Sequence, residues 1–412
     1  MKTNRKKGHR LLAVLLSLSL AAASGTAVFA EEAAATATAT PEPDPHSSYY
    51  SESATTDALP NWVTGPSIEG QAAVVIDLND GGILYAKNEN TVLYPASITK
   101  ILTAMLAIQY LNPKDQYALT EAEAFGIESG SSSIYGGTDE VFTVEQETMA
   151  LMLESANEMA LALADQTSGS VKKFTELMNR TAARLGCTNS HFNNPHGLPD
   201  PNHYTTAADM AKIAYAAWGN PLFRKYSTTL LYEIPPTNVQ KETRYLLNHH
   251  KMMKGRDYEY EGVRGGKTGY TTLAGNTLVT FAARGNLMVA VVVLNSVGGA
   301  YADTTSLLDY AFGNFERIRL DLPSDEPSMV NRLLPCEQFI LKDCGDVRPV
   351  YFTYPAYVTV PKGLDISKIQ RVVTKEKNYF GIPSYWNEFY YEGNKIGSGR
   401  MYEREVLSDL LL

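Results

Sequence analysis

Two β-rich stretches separated by a long helical segment constrain the fold of this chain more than any other feature. Residues 71–88, QAAVVIDLNDGGILYAKN, contain two short apolar runs around an Asn-Asp-Gly-Gly turn. The same pattern returns in KTGYTTLAGNTLVTFAARGNLMVAVVVLNS, residues 267–296. Both patterns predict antiparallel hairpins. Strands at both ends with helices between them predict an α+β fold, in which helices cover one antiparallel sheet.

Helical periodicity fills the segment between the two hairpins. Apolar residues at helical spacing predict helices over about 97–110, 144–167, 170–186 and 205–219, with another over 305–318 after the second hairpin. Beyond about residue 320 this periodicity fades. Stretches such as VYFTYPAYVTVPKG, IQRVVTKE and EFYYEGNKIGSGRMY then have the composition of short strands around turns. The chain is therefore predicted to end in a small all-β domain.

Residues 1–30 differ from the rest of the chain. A basic start, an apolar run and a Val-Phe-Ala end are typical of a secretory signal peptide. An uncleaved membrane anchor is the alternative, because the apolar run approaches the ~20 residues that span a bilayer. Residues 31–68 are rich in Ala, Thr, Pro and Ser and are predicted to be a low-complexity linker. The folded part is then predicted to comprise an α+β domain over 69–318 and a β domain over 319–412.

Charge and cysteine content exclude two classes of protein. Loss of residues 1–30 would remove five of the 36 Lys and Arg and none of the 45 Asp and Glu, which leaves a net charge of −14. So acidic a chain is a poor partner for nucleic acid. Three cysteines are too few for a disulfide scaffold in an exported chain of 412 residues. Cys187 is predicted to be a buried apolar residue, and a disulfide between Cys336 and Cys344 stays open, since its geometry is not readable from sequence.

A serine and a lysine lie three residues apart at the start of the first predicted helix, in YPASITKILTAM, residues 94–105. Ser97 and Lys100 would share one face of the helix, so that their side chains meet. No acidic residue lies three or four positions from Lys100, and apolar neighbours would remove its solvation and lower its pKa. A serine beside a neutral lysine amine is an activated nucleophile. Ser170 and Lys173 repeat the spacing, but they are predicted to form a solvated helix start.

A second motif places polar side chains inside an apolar helical run. Ser155 and Asn157 lie within LMLESANEMALAL, where neither polar group belongs unless it lines a cleft. The Ser155 hydroxyl can relay a proton to a leaving amine, and Asn157 can hold a substrate amide. The order and spacing of these residues after Ser97 and Lys100 match a serine–lysine acyl enzyme.

The third motif, Lys267-Thr268-Gly269 in GGKTGY, stands at the start of the second β-rich stretch. Lys267 would supply a second cation that lowers the pKa of Lys100 and attracts an anionic substrate. Thr268 can hydrogen-bond a carboxylate, and Gly269 lets the strand edge come close to a substrate. A plain glycine-rich turn is the alternative, and the stretch lacks the glycine spacing of a phosphate-binding loop.

With these three motifs in this order, the chain resembles the low-molecular-mass penicillin-binding proteins that are serine-type D-alanyl-D-alanine carboxypeptidases. The resemblance covers about 72–312 and rests on six linked stretches: AAVVIDLNDGGILYAKN, PASITKILTAML, SANEMALALAD, FTELMNRTAARLGCTNSHFNNPHGL, HYTTAADMAKIA and GGKTGYTTLAGNTLV. It implies the α+β fold of serine β-lactamases and penicillin-binding proteins, followed by a small all-β accessory domain.

The resemblance also implies the chemistry. Ser97 would form the acyl-enzyme, and Lys100 would be the base for acylation. The proton and substrate network would be completed by Ser155, Asn157 and Lys267, with Thr268, Gly269 and Tyr270 in the substrate site. Backbone amides of Ser97 and Tyr270 would form the oxyanion hole. The substrate would be the pentapeptide stem of peptidoglycan, which loses its last D-alanine without a metal or organic cofactor. Penicillins would trap Ser97 as a slowly hydrolysed ester.

The sequence departs from the family pattern in three places. Ala156 stands where glycine is commonest, and Ala300 stands where many relatives carry an arginine, so the contribution of that cation is in doubt. The C-terminal EREVLSDLLL is not the basic amphipathic helix with which many relatives grip the membrane. Location in the exported space or at the wall is therefore as consistent with the sequence as a membrane anchor.

Four other functions are compatible with parts of this sequence to different degrees. A serine β-lactamase would need a Glu-x-x-Leu-Asn segment, and Glu176–Asn179 has the wrong spacing. A metal site could draw on His191, His196, His203 and Asp209, but no close-set helical pair of ligands occurs. A D,D-endopeptidase or transpeptidase would use the same residues, and a non-catalytic penicillin sensor would share the scaffold, so both stay as alternatives.

Overall fold

The computed structural model describes residues 46–320, 350–352, 356–377 and 383–404. The predicted signal peptide, the first part of the predicted linker and both Cys336 and Cys344 lie outside these residues. Cys187 is buried and carries a free thiol, as expected. Across the described ranges, no helix combines the length and the apolar character needed to cross a bilayer.

A five-stranded antiparallel sheet forms the centre of the fold. Its strands are β1 Gly70–Asp77, β2 Ile83–Lys87, β7 Val263–Thr271, β8 Gly275–Arg284 and β9 Leu287–Ser296. They lie side by side in the order β2-β1-β9-β8-β7. The two predicted hairpins are β1–β2 and β8–β9, and β1 pairs with β9, so hairpins far apart in sequence join into one sheet. This confirms the predicted α+β class.

Helices cover both faces of this sheet. They are α1 Lys100–Tyr110, α2 Glu121–Phe125, α3 Val144–Leu153, α4 Asn157–Ser168, α5 Val171–Arg184, α6 Ala207–Trp218, α7 Pro221–Thr228 and α8 Ala300–Asn314. Two short ladders lie between them: β3 Gln116–Ala118 with β4 Val141–Thr143, and β5 Leu231–Ile234 with β6 Arg244–Leu247.

Successive side chains of the strands point alternately into two separate apolar cores. On β1, Ala72 and Val74 pack into the core that contains α1, α3, α4 and α6. Ala73 and Val75 point the other way, into the core that contains Leu307 of α8. Successive strand residues face opposite sides of a sheet, so a strand that is apolar throughout must be covered on both faces. The sheet is therefore the middle of three layers.

Two helix predictions are wrong: one helix is broken at its centre, and the other ends earlier than predicted. The helix predicted over 144–167 is broken into α3 and α4, because Ser155 adopts a left-handed backbone with φ of +61°. The helix predicted over 305–318 ends at Asn314, and the following residues form a strand. In both places the sequence remains periodic, and tertiary contacts override the helical pattern.

Part of the predicted linker is folded. Ala54 and Ile68 are buried in the core beside α8. The Trp62 indole donates to the Leu84 carbonyl over 2.9 Å, and the buried Lys87 amine donates to the Tyr49 carbonyl over 2.6 Å. A few apolar side chains on an otherwise polar segment thus suffice to attach residues 46–68 to the edge strand β2, which corrects the expectation of a linker up to residue 68.

The C-terminal part consists of strands, as predicted. They are β10 Phe315–Leu320, β11 Val350–Phe352, β12 Ala356–Pro361, β13 Ile369–Lys377, β14 Pro383–Tyr391 and β15 Asn394–Arg404. β10 pairs with β12, and the other four form a sheet in the order β11-β15-β14-β13. A small core of Val358, Val360, Phe389, Tyr391 and Ile396 holds them together. β10 spans the domain boundary predicted between 318 and 319.

The β1–β2 turn contacts these strands directly. The Thr359 hydroxyl donates to the buried carboxylate of Asp77, and the Ser398 amide donates to the Asp80 carbonyl over 2.9 Å. Burial raises the pKa of both aspartates, and the charge of Asp77 raises that of Asp80 further. The turn predicted from Asn79–Gly82 therefore also serves as the attachment point of the C-terminal sheet.

Candidate active site

Ser97 lies in a short 3-10 turn, Ala96–Thr99, that continues directly into α1. Ala96 adopts a left-handed backbone with φ of +50°. The Pro95 carbonyl accepts a hydrogen bond of 2.9 Å from the Thr277 hydroxyl on β8. A non-glycine residue in this region costs on the order of 1 kcal/mol or more and persists only when its surroundings hold it. The sheet therefore fixes the turn that presents Ser97.

Three oxygen atoms surround the Lys100 amine. Its Nζ lies 3.0 Å from Ser97 Oγ and 2.7 Å from Asn157 Oδ1. The third neighbour is the carbonyl oxygen of His196, also at 2.7 Å. The predicted meeting of Ser97 and Lys100 across one turn is confirmed.

Burial changes the chemistry of this amine. Lys100 is 0 % exposed, and burial holds its pKa well below the usual range of lysine. The positive charge of Lys267 lowers this pKa further, whereas the negative charge of Glu158 raises it. A neutral amine has two N–H donors and one lone pair. Asn157 Oδ1 and the His196 carbonyl only accept, so a neutral amine would give both of its N–H groups to them. Its lone pair would then face the Ser97 hydroxyl.

The break between α3 and α4 presents the second motif. Ser155 is 4 % exposed, and its Oγ has no hydrogen-bond partner among the described residues. Asn157 begins α4, and its backbone N–H donates to the Ser132 carbonyl over 2.9 Å. A buried hydroxyl without a partner costs ~1–3 kcal/mol. Such a group is ready to bond with a substrate or to pass on a proton.

The third motif lies on β7 beside the nucleophile. Lys267 is 1 % exposed and donates to the Thr268 carbonyl over 2.9 Å. Burial lowers the pKa of Lys267 to about 7, against the opposing charge of Glu154. A β-carbon at Gly269 would lie 2.9 Å from the Ser97 amide nitrogen and 2.4 Å from Thr277 Oγ1. Glycine is thus required for the strand to pass this close to Ser97.

These residues border one cleft of about 380 Å³. Ser97, Ser155, Thr268, Gly269 and Tyr270 line it. The amines of Lys100 and Lys267 and the amide of Asn157 lie buried behind this lining, where water does not compete for them. The arrangement places a serine hydroxyl, a lysine amine of lowered pKa and hydrogen-bond donors around one space, and groups of these kinds are the ones that acyl transfer requires.

The loop in FNNPHGLPDPNHYTT, residues 192–206, which the sequence predicts at the rim of the cleft, closes the back of the site. The His203 ring bonds through Nε2 to Thr99 Oγ1 at 2.8 Å, and the Pro195 carbonyl accepts from Thr103 at 2.6 Å. Gly197 has φ of +90°, and a β-carbon there would lie 1.9 Å from the Ala96 carbonyl oxygen. The expectation that histidines of this loop make structural hydrogen bonds is confirmed for His203. The structure adds that the loop packs directly on the Ser97 turn.

Comparison with known proteins shows the family. Residues 60–298 match the family model described as D-alanyl-D-alanine carboxypeptidase, which is more than half of the chain. The chain belongs to the D-alanyl-D-alanine carboxypeptidase family. It is 30% identical over 317 residues to D-alanyl-D-alanine carboxypeptidase DacF of Bacillus subtilis, and the match covers 75% of this chain and 77% of that protein. The chain is therefore a serine-type D-alanyl-D-alanine carboxypeptidase.

Solved structures agree with this family. A D-alanyl-D-alanine carboxypeptidase from Mycobacterium tuberculosis, 28% identical, superposes with a TM-score of 0.56 over 61% of this chain and 94% of that chain. Penicillin binding protein 5 from Haemophilus influenzae, 24% identical, has a TM-score of 0.62 over 83% of this chain and 98% of that chain. The second comparison shows that the fold similarity extends beyond the region of the family model.

The structure also shows the backbone at Ala156 and the surroundings of Ser170 in this carboxypeptidase. Ala156, which stands where glycine is commonest, has φ of −55°, so the position does not require glycine. Ser170, the repeat of the Ser-x-x-Lys spacing, is the N-cap of α5 and accepts a hydrogen bond of 3.2 Å from the Lys173 amide. The interpretation of that pair as a helix start is confirmed. Across the described residues, no group of three or more potential ligands is placed to hold a metal ion.

Gly269→Ala should slow acylation of this carboxypeptidase by about 100-fold, the scale of losing one oxyanion-hole donor. The added methyl group must displace either the Ser97 turn or β7. The measurement is the rate of acylation by benzylpenicillin. Gly313→Ala is the control, because a β-carbon there meets nothing within 4 Å. An acylation rate equal to that of the control would show that the close approach of β7 is dispensable.

Stability should fall steeply in mild acid, because burial holds three histidines in the neutral form. Burial lowers the pKa of His203 to about 4 and that of His196 and of His250 to about 3. In the unfolded chain all three titrate near ~6.5. Between pH 6.5 and 4 the unfolded state binds protons that the folded state does not, so each histidine lowers the unfolding free energy by about 1.4 kcal/mol per pH unit.

Urea unfolding at pH 5 and pH 7 would measure this loss. His250→Gln should reduce the difference between the unfolding free energies at pH 7 and pH 5 by about 2 kcal/mol, since one titrating group is removed. An unchanged difference would mean that His250 is not held neutral in the folded protein.

Proposed function

We propose that Ser97 is the nucleophile and Lys100 the base of this enzyme. The observation that carries the proposal is the 3.0 Å contact between Lys100 Nζ and Ser97 Oγ, made by an amine whose other two oxygen neighbours accept only. Such an amine has its lone pair available to the Ser97 proton. The lowered pKa of Lys100 supports the neutral form at physiological pH.

Acylation then proceeds in one sequence of bond changes. The Ser97 oxygen attacks the carbonyl carbon between the two D-alanines while its proton passes to Lys100 Nζ. The backbone amides of Ser97 and Tyr270 stabilise the oxyanion. The C–N bond breaks, Ser155 passes a proton from Lys100 to the leaving amine, and D-alanine departs. Water then attacks the ester, its hydroxyl joins the acyl carbon, and its remaining proton returns to the Ser97 oxygen.

The other site residues would bind and orient the substrate. Asn157 would hold the amide of the peptide in addition to its contact with the Lys100 amine. Thr268 can bond the terminal carboxylate, and Lys267 contributes a positive field whenever it is protonated. Gly269 and Tyr270 supply the strand edge along which an extended peptide can lie.

The proposed substrate is the pentapeptide stem of peptidoglycan, which ends in D-alanyl-D-alanine. β-Lactams carry a reactive amide next to a carboxylate and would acylate Ser97 covalently. A substrate of this kind lies outside the cytoplasm, and residues 1–30 have the features of a cleaved export signal. Mass measurement of the exported protein would test cleavage after Ala30.

The decisive test of function is the product formed from purified peptidoglycan. Pentapeptide fragments and cross-linked dimers would be incubated separately with the enzyme and analysed for D-alanine and for cleaved dimers. Release of D-alanine from the pentapeptide, with dimers left intact, is the expected result. Cleaved dimers would instead indicate an endopeptidase, and new dimers a transpeptidase. Covalent penicillin binding without any product would indicate a sensor.

A further inference from the structure

The Ser155 side chain has to be kept in place by its backbone, because its hydroxyl bonds to nothing in the described part of the chain. That backbone is left-handed, and a non-glycine residue persists there only when its surroundings hold it. Two contacts restrain the chain after Ser155: the Ala156 N–H donates to the Ala150 carbonyl over 3.2 Å, and the Asn157 N–H donates to the Ser132 carbonyl. The chain before Ser155 is restrained by a separate set of contacts.

Glu154, the C-cap of α3, connects this end of the helix to the segment that leads from β6 to β7. Its Oε1 accepts from the Leu247 N–H over 2.7 Å, and its Oε2 bonds to His249 Nε2 at 2.8 Å. A third contact lies beside these two, since the His249 N–H donates to the Leu153 carbonyl over 3.2 Å. Three hydrogen bonds therefore join the residues immediately before Ser155 to the chain on the other side of the cleft.

The same histidine is held from the side of the sheet. The His249 carbonyl accepts from the Tyr301 hydroxyl of α8 over 3.3 Å, and the Lys251 N–H donates to that hydroxyl over 3.4 Å. The Tyr301 ring stacks on Tyr258 at 4.7 Å between ring centres. His249 and Tyr301 both line the cleft. Glu154, His249 and Tyr301 thus form a continuous bridge, here called the cleft bridge, from the end of α3 to α8.

The charge of Glu154 does not benefit the helix that carries it. A negative charge at a helix C-terminus is unfavourable, because it faces the negative end of the helix dipole. Partial burial opposes ionisation of Glu154, but the hydrogen bonds from His249 and from the Leu247 N–H hold the pKa of its carboxyl below the usual value. An ionised carboxylate makes stronger hydrogen bonds than a neutral acceptor. The side chain therefore serves the contact across the cleft at the expense of α3.

We propose that Glu154 is a positioning residue for proton transfer: through the cleft bridge it holds the Ser155 hydroxyl where a proton can pass from Lys100 to the leaving amine. The inference rests on the proposed function, because it concerns the serine that passes the proton in that mechanism. Breaking the bridge should impair the departure of a leaving group that needs a proton. Attack by Ser97 should be spared, since the sheet fixes the turn that carries it.

Two substrates that differ in their leaving group test the proposal. One is an acyl-D-alanyl-D-alanine peptide, whose leaving amine must take up a proton. The other is the matching acyl-D-alanyl thioester of thioglycolate, whose sulfur leaves as a thiolate because a thiol ionises near ~8.5. Glu154→Ala should lower kcat/KM for the peptide about 100-fold, the scale of a misplacement of ~1 Å, and change kcat/KM for the thioester less than about twofold.

Two further variants and a control accompany this measurement. Glu154→Gln should recover most of the loss, because its amide oxygen can still accept from the Leu247 N–H. Tyr301→Phe removes the hydroxyl at the other end of the cleft bridge and should cause a smaller loss with the same selectivity for the peptide. Glu145→Ala is the matched control: it removes a carboxylate of the same helix that pairs with Lys225 and does not line the cleft. Both of its rates should equal those of the wild type.

A double-mutant cycle shows whether Glu154 acts through Ser155. Ser155→Ala should slow cleavage of the peptide far more than that of the thioester, and adding Glu154→Ala should cause no further loss. The proposal would be overturned by equal losses on both substrates, by no loss on either, or by a further loss in the double variant as large as that of Glu154→Ala alone. Failure of the proposed function would look different, because Ser155→Ala would then leave the ratio of the two rates at its wild-type value.

Discussion

Ser97→Ala should abolish D-alanine release and covalent penicillin labelling, with a loss of at least about 10⁴-fold in the rate of acylation. The variant removes the oxygen that forms the ester, and water cannot take its place in the covalent step. The measurements are D-alanine release from a pentapeptide and retention of a fluorescent penicillin on a denaturing gel. The thermal midpoint should stay close to that of the wild type, because alanine fits the 3-10 turn and Ser97 Oγ has one described partner, Lys100.

Ser170→Ala provides the matched control. It removes the other serine that precedes a lysine by three residues, and it costs stability of ~1 kcal/mol through the lost N-cap of α5. Its rate of acylation should equal that of the wild type. Penicillin labelling of a folded Ser97→Ala protein would assign the nucleophile to another residue and contradict the proposed chemistry.

Lys100→Ala should slow acylation by about 10³-fold, within the range for loss of a general base. At an ordinary lysine pKa near ~10.4, a base would be neutral in about one molecule in 2,500 at pH 7, a handicap of roughly 4–5 kcal/mol. Burial at 0 % exposure and the nearby Lys267 remove much of this handicap, because both lower the pKa of Lys100. Lys100→Ala removes the amine and, with it, the base whose pKa burial had lowered.

The pH profile separates the loss of a base from a structural defect. For the wild type, acylation by benzylpenicillin should rise with pH as Lys100 loses its proton, at a pH well below that of ordinary lysine titration. Lys100→Ala should lose this limb of the profile, while the control Lys173→Ala should keep it. A limb of unchanged height and position in Lys100→Ala would exclude Lys100 as the base.

The motifs could be found from the sequence because each is local. Ser97 and Lys100 lie one turn apart, and any helical start there brings them together. Lys267, Thr268 and Gly269 begin a predicted strand, and their combination of cation, hydroxyl and absent side chain specifies an edge for an anionic peptide. Spacing between near neighbours can be interpreted without knowledge of the tertiary fold.

The break at Ser155 could not be found in this way. Residues 144–167 are periodic throughout, and the sequence predicts one helix there. In the structure Ser155 takes a left-handed backbone, and Asn157 becomes the first residue of a new helix. This change aligns Asn157 Oδ1 with the Lys100 amine at 2.7 Å. The energy of that contact, and of packing α4 against α1, is absent from any local window of sequence.

The sequence by itself determined the fold class and the order of the three motifs, because hydrophobic periodicity and short-range spacing are properties of neighbouring residues. The family followed from the resemblance of six stretches to known proteins. Only the tertiary structure decided which polar atoms lie within hydrogen-bonding distance of one another. The carbonyl of His196, the ring of His203 and the pair of His249 and Glu154 reach the site from distant parts of the chain. Their effect depends on distances of about 3 Å in a space from which water is excluded, and burial of that kind exists only once the sheet and both helical layers have closed around it.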